Sequence, residues 1–351
     1  MLLILSALVT GPGVQPSDSC SSFCITSGGR PYFGRNFDYA VKGGLIFVNK
    51  HNVAKTAATF EQPARWVSKH GSVTFNLYGC ELPMGGMNEA GLVVAVLWLD
   101  GSQYPAADSL PAVNDLQWVQ YQLDNCATIK EVVATQAKIR VSGYGGSQIH
   151  YLLADSRGAC AAVEFLGGQM VIHYGSDLPV PVLTNTTYSS SLDLHRRFDG
   201  DTTSEAYSTE ANSRGRFMKV ARAIERFGES TGEDVVGYAF GILKEVGFGS
   251  TQWRIVYDIE NRRIHFTTMD NSQIRSIELA RLDFSCDRPV LIHDLAAAAA
   301  GDVTGLFEAY TYEKNRDLIR KSFLETDFLK DTPESLLEML ARYPESFSCQ
   351  E

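Results

Sequence analysis

The segment CSSFCITSGGRPYFGRNFDYA, residues 20–40, limits what this chain can become more than any other stretch. CSSFCITS alternates with period two, which puts Phe23 and Ile25 on one face and Cys20, Ser22 and Cys24 on the other. GGRP supplies a turn and YFGRNFDYA returns as a second strand, so the unit reads as an antiparallel hairpin. Further strands follow in GLIFVNK, SVTFNLYGC and LVVAVLWL. Residues 114–138 read as two helices, the second capped by Thr128. Strands resume in IHYLLADSRGACAAVEFLGGQMVIHY, with turns at 155–158 and 167–168, and VPVLTNTTY is a strand ending at Asn185. The polar run SSSLDLHRRFDGDTTSEAYSTEANS is expected to be a surface connection. It leads into RGRFMKVARAIERF, whose Phe217, Val220, Ala221, Ile224 and Phe227 share one helical face. TQWRIVYDIENRRIHFTTMDNSQIRSIELA predicts three strands with turns near Asn261 and Asn271; beyond Cys286 the chain is expected to be helical, with Pro333 in the first turn of a last helix. Strand groups beside paired helices, without regular βαβ alternation, predict an α+β fold in layers.

A different pattern precedes the hairpin. LLILSALV is a short apolar run, followed by the turn-rich TGPGVQPSDS, and Ser17 and Ser19 stand where a signal-peptide cleavage site has small residues. Residues 1–19 are therefore expected to be a leader that is removed, although no basic residue precedes the apolar run. A buried N-terminal strand is the alternative; a lipid anchor on Cys20 is disfavoured by Asp18.

At 351 residues with 44% hydrophobic and 21% charged, the chain can build a sizeable core. Its formal charge of −10, with no basic run, argues against a nucleic-acid surface. No apolar stretch reaches the roughly 20 residues of a membrane span. The seven cysteines form no CxxC pair and no zinc-type cluster with histidine. Most read as small core residues, Cys24 as a strand-face thiol; an exported chain could form one or two disulfides, whose pairing the sequence leaves open. His70, His150 and His173 read as strand or loop residues, and the glycine clusters lack a nucleotide-binding context. No cofactor and no metal are expected.

Cysteine attacks carbonyls well when a base stands beside the thiol. Cleavage after Ser19 would make Cys20 supply its own base, because a free α-amino group titrates near roughly 8. Arg35 and Asp38 lie on the returning strand, where the hairpin brings them back toward Cys20. A carboxylate there can hold the thiol or ammonium, and a guanidinium can favour thiolate. Taken alone, RNFD reads more readily as a strand-end ion pair facing solvent.

CSSFCITSGGRPYFGRNFDY resembles the mature N-terminus of the choloylglycine hydrolase family, the bile salt hydrolases and penicillin V acylases, which are N-terminal nucleophile hydrolases. Members begin with Cys and reach F-[GA]-R-x-x-D fourteen to sixteen positions later; Cys20 to Arg35 is fifteen and Cys24 to Arg35 only eleven. GMNEAGLVVAVLWLD resembles the family's N-E-x-G-L strand, whose end gives the oxyanion hole a backbone N–H, here that of Trp98. PVLTNTTY resembles the L-T-N motif whose Asn is the other oxyanion donor, here Asn185, and SRGRFMKVA the S-R-F helix start carrying a second active-site Arg, here Arg216. With the late hairpin, the resemblance covers residues 20 to about 280.

The resemblance implies a four-layer αββα sandwich, formed by residues 20–351 as one domain, that hydrolyses a linear amide without a cofactor through a Cys20 thioester. Asp38 would orient Cys20, while Arg35 and Arg216 would support the site and polar substrate groups. Trp98 departs from the Asn or Tyr common at its position, so the substrate stays open among conjugated bile salts, penicillin V and N-acyl-homoserine lactones. Pocket walls are expected from loops around residues 45–47 and 60–66 and at Tyr144. The shortened stretch between Asn185 and Arg216 resembles the exported Gram-negative branch, so a periplasmic or secreted protein is expected, with a dimer or tetramer open. Rival readings are an acyltransferase of this fold, a non-catalytic binding protein on the same scaffold, and a Cys-His protease, for which no histidine has a suitable local context.

Overall fold

The computed structural model describes residues 20–143, 146–197, 213–228 and 234–350. The expected leader, Tyr144 and residues 198–212 of the expected connection lie outside the described residues.

The hairpin forms as its alternation requires. Strands Ser21–Ser27 and Arg30–Asp38 pair from Ser21 opposite Asn36 to Ser27 opposite Arg30. Gly28 and Gly29 take φ of 56° and 80°, the left-handed values a two-residue hairpin turn needs at both centres. Gly34 is required for a second reason: a Cβ there would sit 2.3 Å from the ring of Phe23, which lies across the neighbouring strand.

The hairpin belongs to a seven-stranded sheet running Val182–Leu183, Ser21–Ser27, Arg30–Asp38, Thr251–Asp258, Arg263–Thr268, Arg275–Glu278 and Gly301–Asp302. A nine-stranded sheet runs Gln169–Tyr174, Cys160–Leu166, Ile149–Ala154, Val93–Trp98, Pro83–Asn88, Ser72–Asn76, Leu45–Asn49, Leu291–Asp294 and Glu308–Ala309. Both faces of most central strands are buried, and one apolar cluster runs through both sheets. Outer layers cover them. Helix Asp115–Asn125 packs on Pro83–Asn88 and Val93–Trp98; Ser213–Gly228 packs on Ser21–Ser27, and Val235–Glu245 on Arg30–Asp38 and Thr251–Asp258. Helices thus lie outside two facing sheets, and Thr128 caps its short helix with a reciprocal Glu131 box.

Four expectations need correction. Cys24 is no free strand-face thiol: it is bonded to Cys160 on the opposite sheet, and Cys286 is bonded to Cys349. The polar run after Asn185 contains a helix, Tyr188–Arg197, because Tyr188, Leu192 and His195 recur at helical spacing and bury one side. The chain beyond Cys286 is not simply helical, since Leu291–Asp294 and Glu308–Ala309 extend the larger sheet. Residues 45–47 are no pocket loop: they sit inside strand Leu45–Asn49, and Ile46 and Phe47 are fully buried.

The Cys24–Cys160 bond closes a sequence separation of 136 residues and ties strand Ser21–Ser27 to the second sheet. Replacing both cysteines with serine is expected to lower unfolding free energy by about 3 kcal/mol, read as a lower urea midpoint with a steeper slope, because the freed unfolded chain exposes more surface.

Candidate active site

Cys20 stands at the head of the first strand, 4% exposed, with its Sγ 3.8 Å from the carbonyl of Asp38. The register that sets Ser22 opposite Arg35 turns Arg35 onto the same face, within hydrogen-bond reach of the Cys20 side chain. Arg35 is completely buried and spans the two sheets, donating to the carbonyls of Met84 and, at 2.7 Å, Val96. Glycine at 85 leaves it room, since a Cβ there would lie 2.5 Å from Arg35 Nη1. Burial pulls this guanidinium below its ordinary value, and the Cys20 and Asp38 side chains pull it back. RNFD is therefore no solvent-facing ion pair; both charged residues are inside.

Asp38 ends the returning strand with no exposed surface. Its Oδ1 accepts from the Thr251 hydroxyl, while Oδ2 has no hydrogen-bond partner among the described residues. Burial pushes the carboxyl up to about 6, against the Thr251 hydrogen bond and the charges of Arg216, Arg254 and Arg35. Thr251 and Arg254 were not found by sequence reasoning. Their signal is slight, an alternating strand whose partner proves to be Arg30–Asp38.

Arg216 links the remaining residues. From the helix Ser213–Gly228, its Nη1 donates to the Cys20 carbonyl at 2.6 Å and to Ser21 Oγ at 2.8 Å, and its Nη2 donates to Asn185 Oδ1 at 3.0 Å. Burial draws it down to about 10, partly offset by Asp38 and Cys20, which leaves it cationic at neutral pH. Accepting from Arg216 fixes which end of the Asn185 amide is oxygen; Nδ2 then donates to the Trp98 carbonyl at 2.8 Å. An amide nitrogen carries two hydrogens, so a second donor remains on Nδ2.

Trp98 is the last residue of Val93–Trp98. Along an extended strand one residue's N–H and C=O point to the same edge. Leu99 donates its N–H to Gln148, so the Trp98 N–H opens on the other edge, the one Asn185 occupies. Hydroxyls fasten the Asn185 loop to the Arg216 helix: Thr184 Oγ1 donates to the Ser213 carbonyl at 3.0 Å, and Thr186 Oγ1 meets Ser213 Oγ at 3.1 Å. Sequence reasoning missed these, although TNT around Asn185 and Ser213 before Arg216 were visible.

Cys20, Arg35, Asp38, Trp98, Asn185 and Arg216 thus form one connected group at one end of the sandwich. A buried thiol beside a carboxylate, with an amide and a strand-end N–H nearby, can accept an acyl carbon and hold a developing oxyanion. Histidines take another role: His150 Nδ1 and His173 Nε2 meet the buried Glu164 carboxylate at 3.1 and 3.2 Å. Among the described residues no group of three metal-ligating side chains converges, and no helix is long and apolar enough to cross a membrane.

Comparison with known proteins gives a consistent result. The model of the linear amide C–N hydrolases, choloylglycine hydrolase family, matches residues 20–235. A penicillin V acylase of Pectobacterium atrosepticum is 25% identical over 328 residues, 81% of this chain and 86% of that protein. The solved penicillin V acylase of Agrobacterium tumefaciens is 26% identical and superposes with a TM-score of 0.74, covering 83% of this chain and 98% of that one. A conjugated bile acid hydrolase variant of Clostridium perfringens shares the fold at 17% identity and a TM-score of 0.65, covering 80% of this chain and 98% of that one.

Proposed function

The chain belongs to the choloylglycine hydrolase family of linear amide C–N hydrolases, and from that premise we propose that Cys20, once N-terminal, is the nucleophile of an N-acyl amide hydrolase. The carrying observation is the connected group around Cys20, above all Asp38 Oδ2, which has no hydrogen-bond partner among the described residues and could accept from the ammonium that removal of residues 1–19 would create. The neutral amine of Cys20 takes the thiol proton, and sulfur bonds to the amide carbon while the carbonyl pair moves onto oxygen. Asn185 Nδ2 and the Trp98 N–H hold that oxyanion, each such donor being worth roughly 3 kcal/mol. Collapse breaks the C–N bond, the leaving amine departs with the proton, and the acyl group stays as a Cys20 thioester. Water, deprotonated by the same amine, then releases the acid. Asp38 orients the amine; Arg216 sets the positions of Cys20 and Asn185; Arg35 stabilises developing thiolate.

Penicillin V is the first substrate to test, from the relatives in two organisms that bear that name; acyl-homoserine lactones and conjugated bile salts are the other members of the panel. The chain is read as exported: two disulfides fit an oxidising compartment, and cleavage after Ser19 would accompany export. Intact mass of the active protein, with the hydrolysis panel run on it, tests the reading. A chain starting at Cys20 that hydrolyses at least one of these amides is expected; an active chain still carrying Ser19 would overturn the amine-base mechanism.

Ionised Asp38 stabilises the ammonium that forms as the amine takes the thiol proton. The value of kcat/KM, already lowered as the amine protonates near roughly 8, is therefore expected to fall further as pH drops below about 6, the ammonium itself drawing this second limb lower. Asp38→Asn should remove that limb, and an unchanged acid limb in the variant would exclude Asp38 as its source. The stability effect has the opposite sign. A carboxyl raised from 3.8 to about 6 in the fold contributes stability present below pH 3.8 and lost as pH rises through 6.

A further inference from the structure

Glu164 is a buried carboxylate that takes no part in the proposed mechanism, yet its neighbours lead to Asn185. It stands in strand Cys160–Leu166, on the face that carries Cys160 and therefore looks toward the hairpin sheet. Glu164, His150 and Tyr188 are all fully buried. Burial works to raise the Glu164 carboxyl, but hydrogen bonds from His150 and His173 outweigh it and lower the group to about 2. A carboxylate only accepts, so both rings present an N–H: His150 Nδ1 at 3.1 Å and His173 Nε2 at 3.2 Å, one from each neighbouring strand. The third donor comes from a different part of the chain. The Tyr188 N–H reaches Glu164 Oε1 at 2.9 Å. Tyr188 opens helix Tyr188–Arg197, so its N–H has no acceptor inside that helix.

We propose that Glu164 is a positioning residue for Asn185, fixing the far end of the loop that carries the amide. This rests on the amidase reading, in which Asn185 Nδ2 holds the oxyanion. The loop is short. At its near end Leu183 pairs with Ser22, two residues from Cys20, and at its far end Tyr188 is bonded to Glu164; only residues 184–187 lie between. Arg216 and the threonine hydroxyls hold this loop from the Ser213–Gly228 helix, and Glu164 holds it from the opposite sheet. The anchor itself is firm. Strand Cys160–Leu166 is paired along both edges, and Cys160 is bonded to Cys24 on the strand that follows Cys20. Cys20 and Asn185 are thus both referred to one rigid strand, which keeps the oxyanion amide at a fixed place relative to the sulfur. What the loop needs from residue 164 is an accepting oxygen at the right reach. An amide oxygen there meets that need as well as a carboxylate oxygen does.

The test uses the full chain as wild type, Glu164→Gln, Glu164→Asp, Asn185→Ala, and Asn185→Ala combined with Glu164→Asp. Glutamine keeps the length and an oxygen for Tyr188; aspartate keeps the charge but draws both oxygens back by one methylene. Two readouts are taken: kcat and KM on penicillin V, or on a panel amide that wild type cleaves, and hydrogen exchange of backbone amides 184–191 by mass spectrometry. Glu164→Asp is expected to lose about tenfold in kcat with KM within about twofold, and to exchange faster over 184–191. Glu164→Gln should stay within about threefold in kcat and keep the wild-type exchange. In the Asn185→Ala background the aspartate change should cost less than about twofold. Wild-type kcat and exchange in Glu164→Asp would overturn the inference, assigning the hold on the loop to the Tyr188 side chain, whose hydroxyl is bonded to the backbone of Val180. Equal losses in the glutamine and aspartate variants would overturn it too, making charge the requirement and not reach. So would an undiminished loss in the Asn185→Ala background, since Glu164 would then act without Asn185. Wild type that cleaves no amide of the panel, with exchange faster in the aspartate variant alone, would sink the amidase reading and leave Glu164 as the tether of the loop.

Discussion

Cys20→Ala is expected to reduce amide hydrolysis by about 10,000-fold or more in kcat, because the covalent route disappears with the sulfur while binding and oxyanion donors remain. Alanine keeps the α-amino group, so the variant isolates the thiol from the amine. The exchange leaves the fold nearly intact: the Arg216 hydrogen bond to the Cys20 main-chain carbonyl survives it, and only one buried sulfur is lost. Unfolding midpoints should accordingly stay close to wild type. Cys20→Ser separates the effects further, since its hydroxyl has the shape of the nucleophile but a much higher pKa, so slow hydrolysis should survive. Intact mass of all three proteins shows whether residues 1–19 have been removed, so that a failure of processing is not mistaken for a failure of chemistry. Activity of the alanine variant within tenfold of wild type would exclude a thioester.

Local signals made much of this molecule legible in its sequence. The hairpin was readable because period-two alternation, the Gly28-Gly29 turn and the returning strand agree with one another. Helix Ser213–Gly228 was readable from its apolar stripe, and the layered α+β fold from the grouping of strands and helices. Pairings that join distant positions were not. Nothing near Cys24 points to Cys160, because disulfide partners are set by the facing of two sheets and spacing carries no record of it. Short strands such as Leu291–Asp294 escaped because they complete an existing sheet edge and need little local propensity. Tyr188–Arg197 escaped because its polar composition outweighed a four-residue recurrence that was present.

The site divides along the same line. Arg35 and Asp38 looked like surface charges by themselves; only the family resemblance turned them inward, and the geometry gives the reason. Arg35 replaces hydration with the Met84 and Val96 carbonyls of the opposite sheet, and Asp38 with Thr251 and three guanidinium charges. Partners of that kind come from strands far away in the chain, so no window of sequence contains them.

Arg216→Ala has the second large expected effect, because one side chain meets three acceptors. Its loss would strand the Cys20 carbonyl, Ser21 Oγ and Asn185 Oδ1, and remove the strongest cationic influence on buried Asp38. A stability loss of about 3–5 kcal/mol is expected, read by urea unfolding. Activity should fall by about 1,000-fold in kcat, since the nucleophile's backbone and the oxyanion amide lose their fixed positions together. Asp38 should titrate higher without its neighbour, moving the acid limb of kcat/KM upward. Arg216→Lys tells charge from geometry: a lysine supplies the cation but not a planar fork reaching Cys20 and Asn185 at once, so it should recover stability more than kcat. If Arg216 acts through Asn185, Asn185→Ala added to Arg216→Ala should cost far less than it does in wild type. Fully additive losses would show that the two residues work separately, and that the Asn185 amide is oriented by something other than the guanidinium bonded to it.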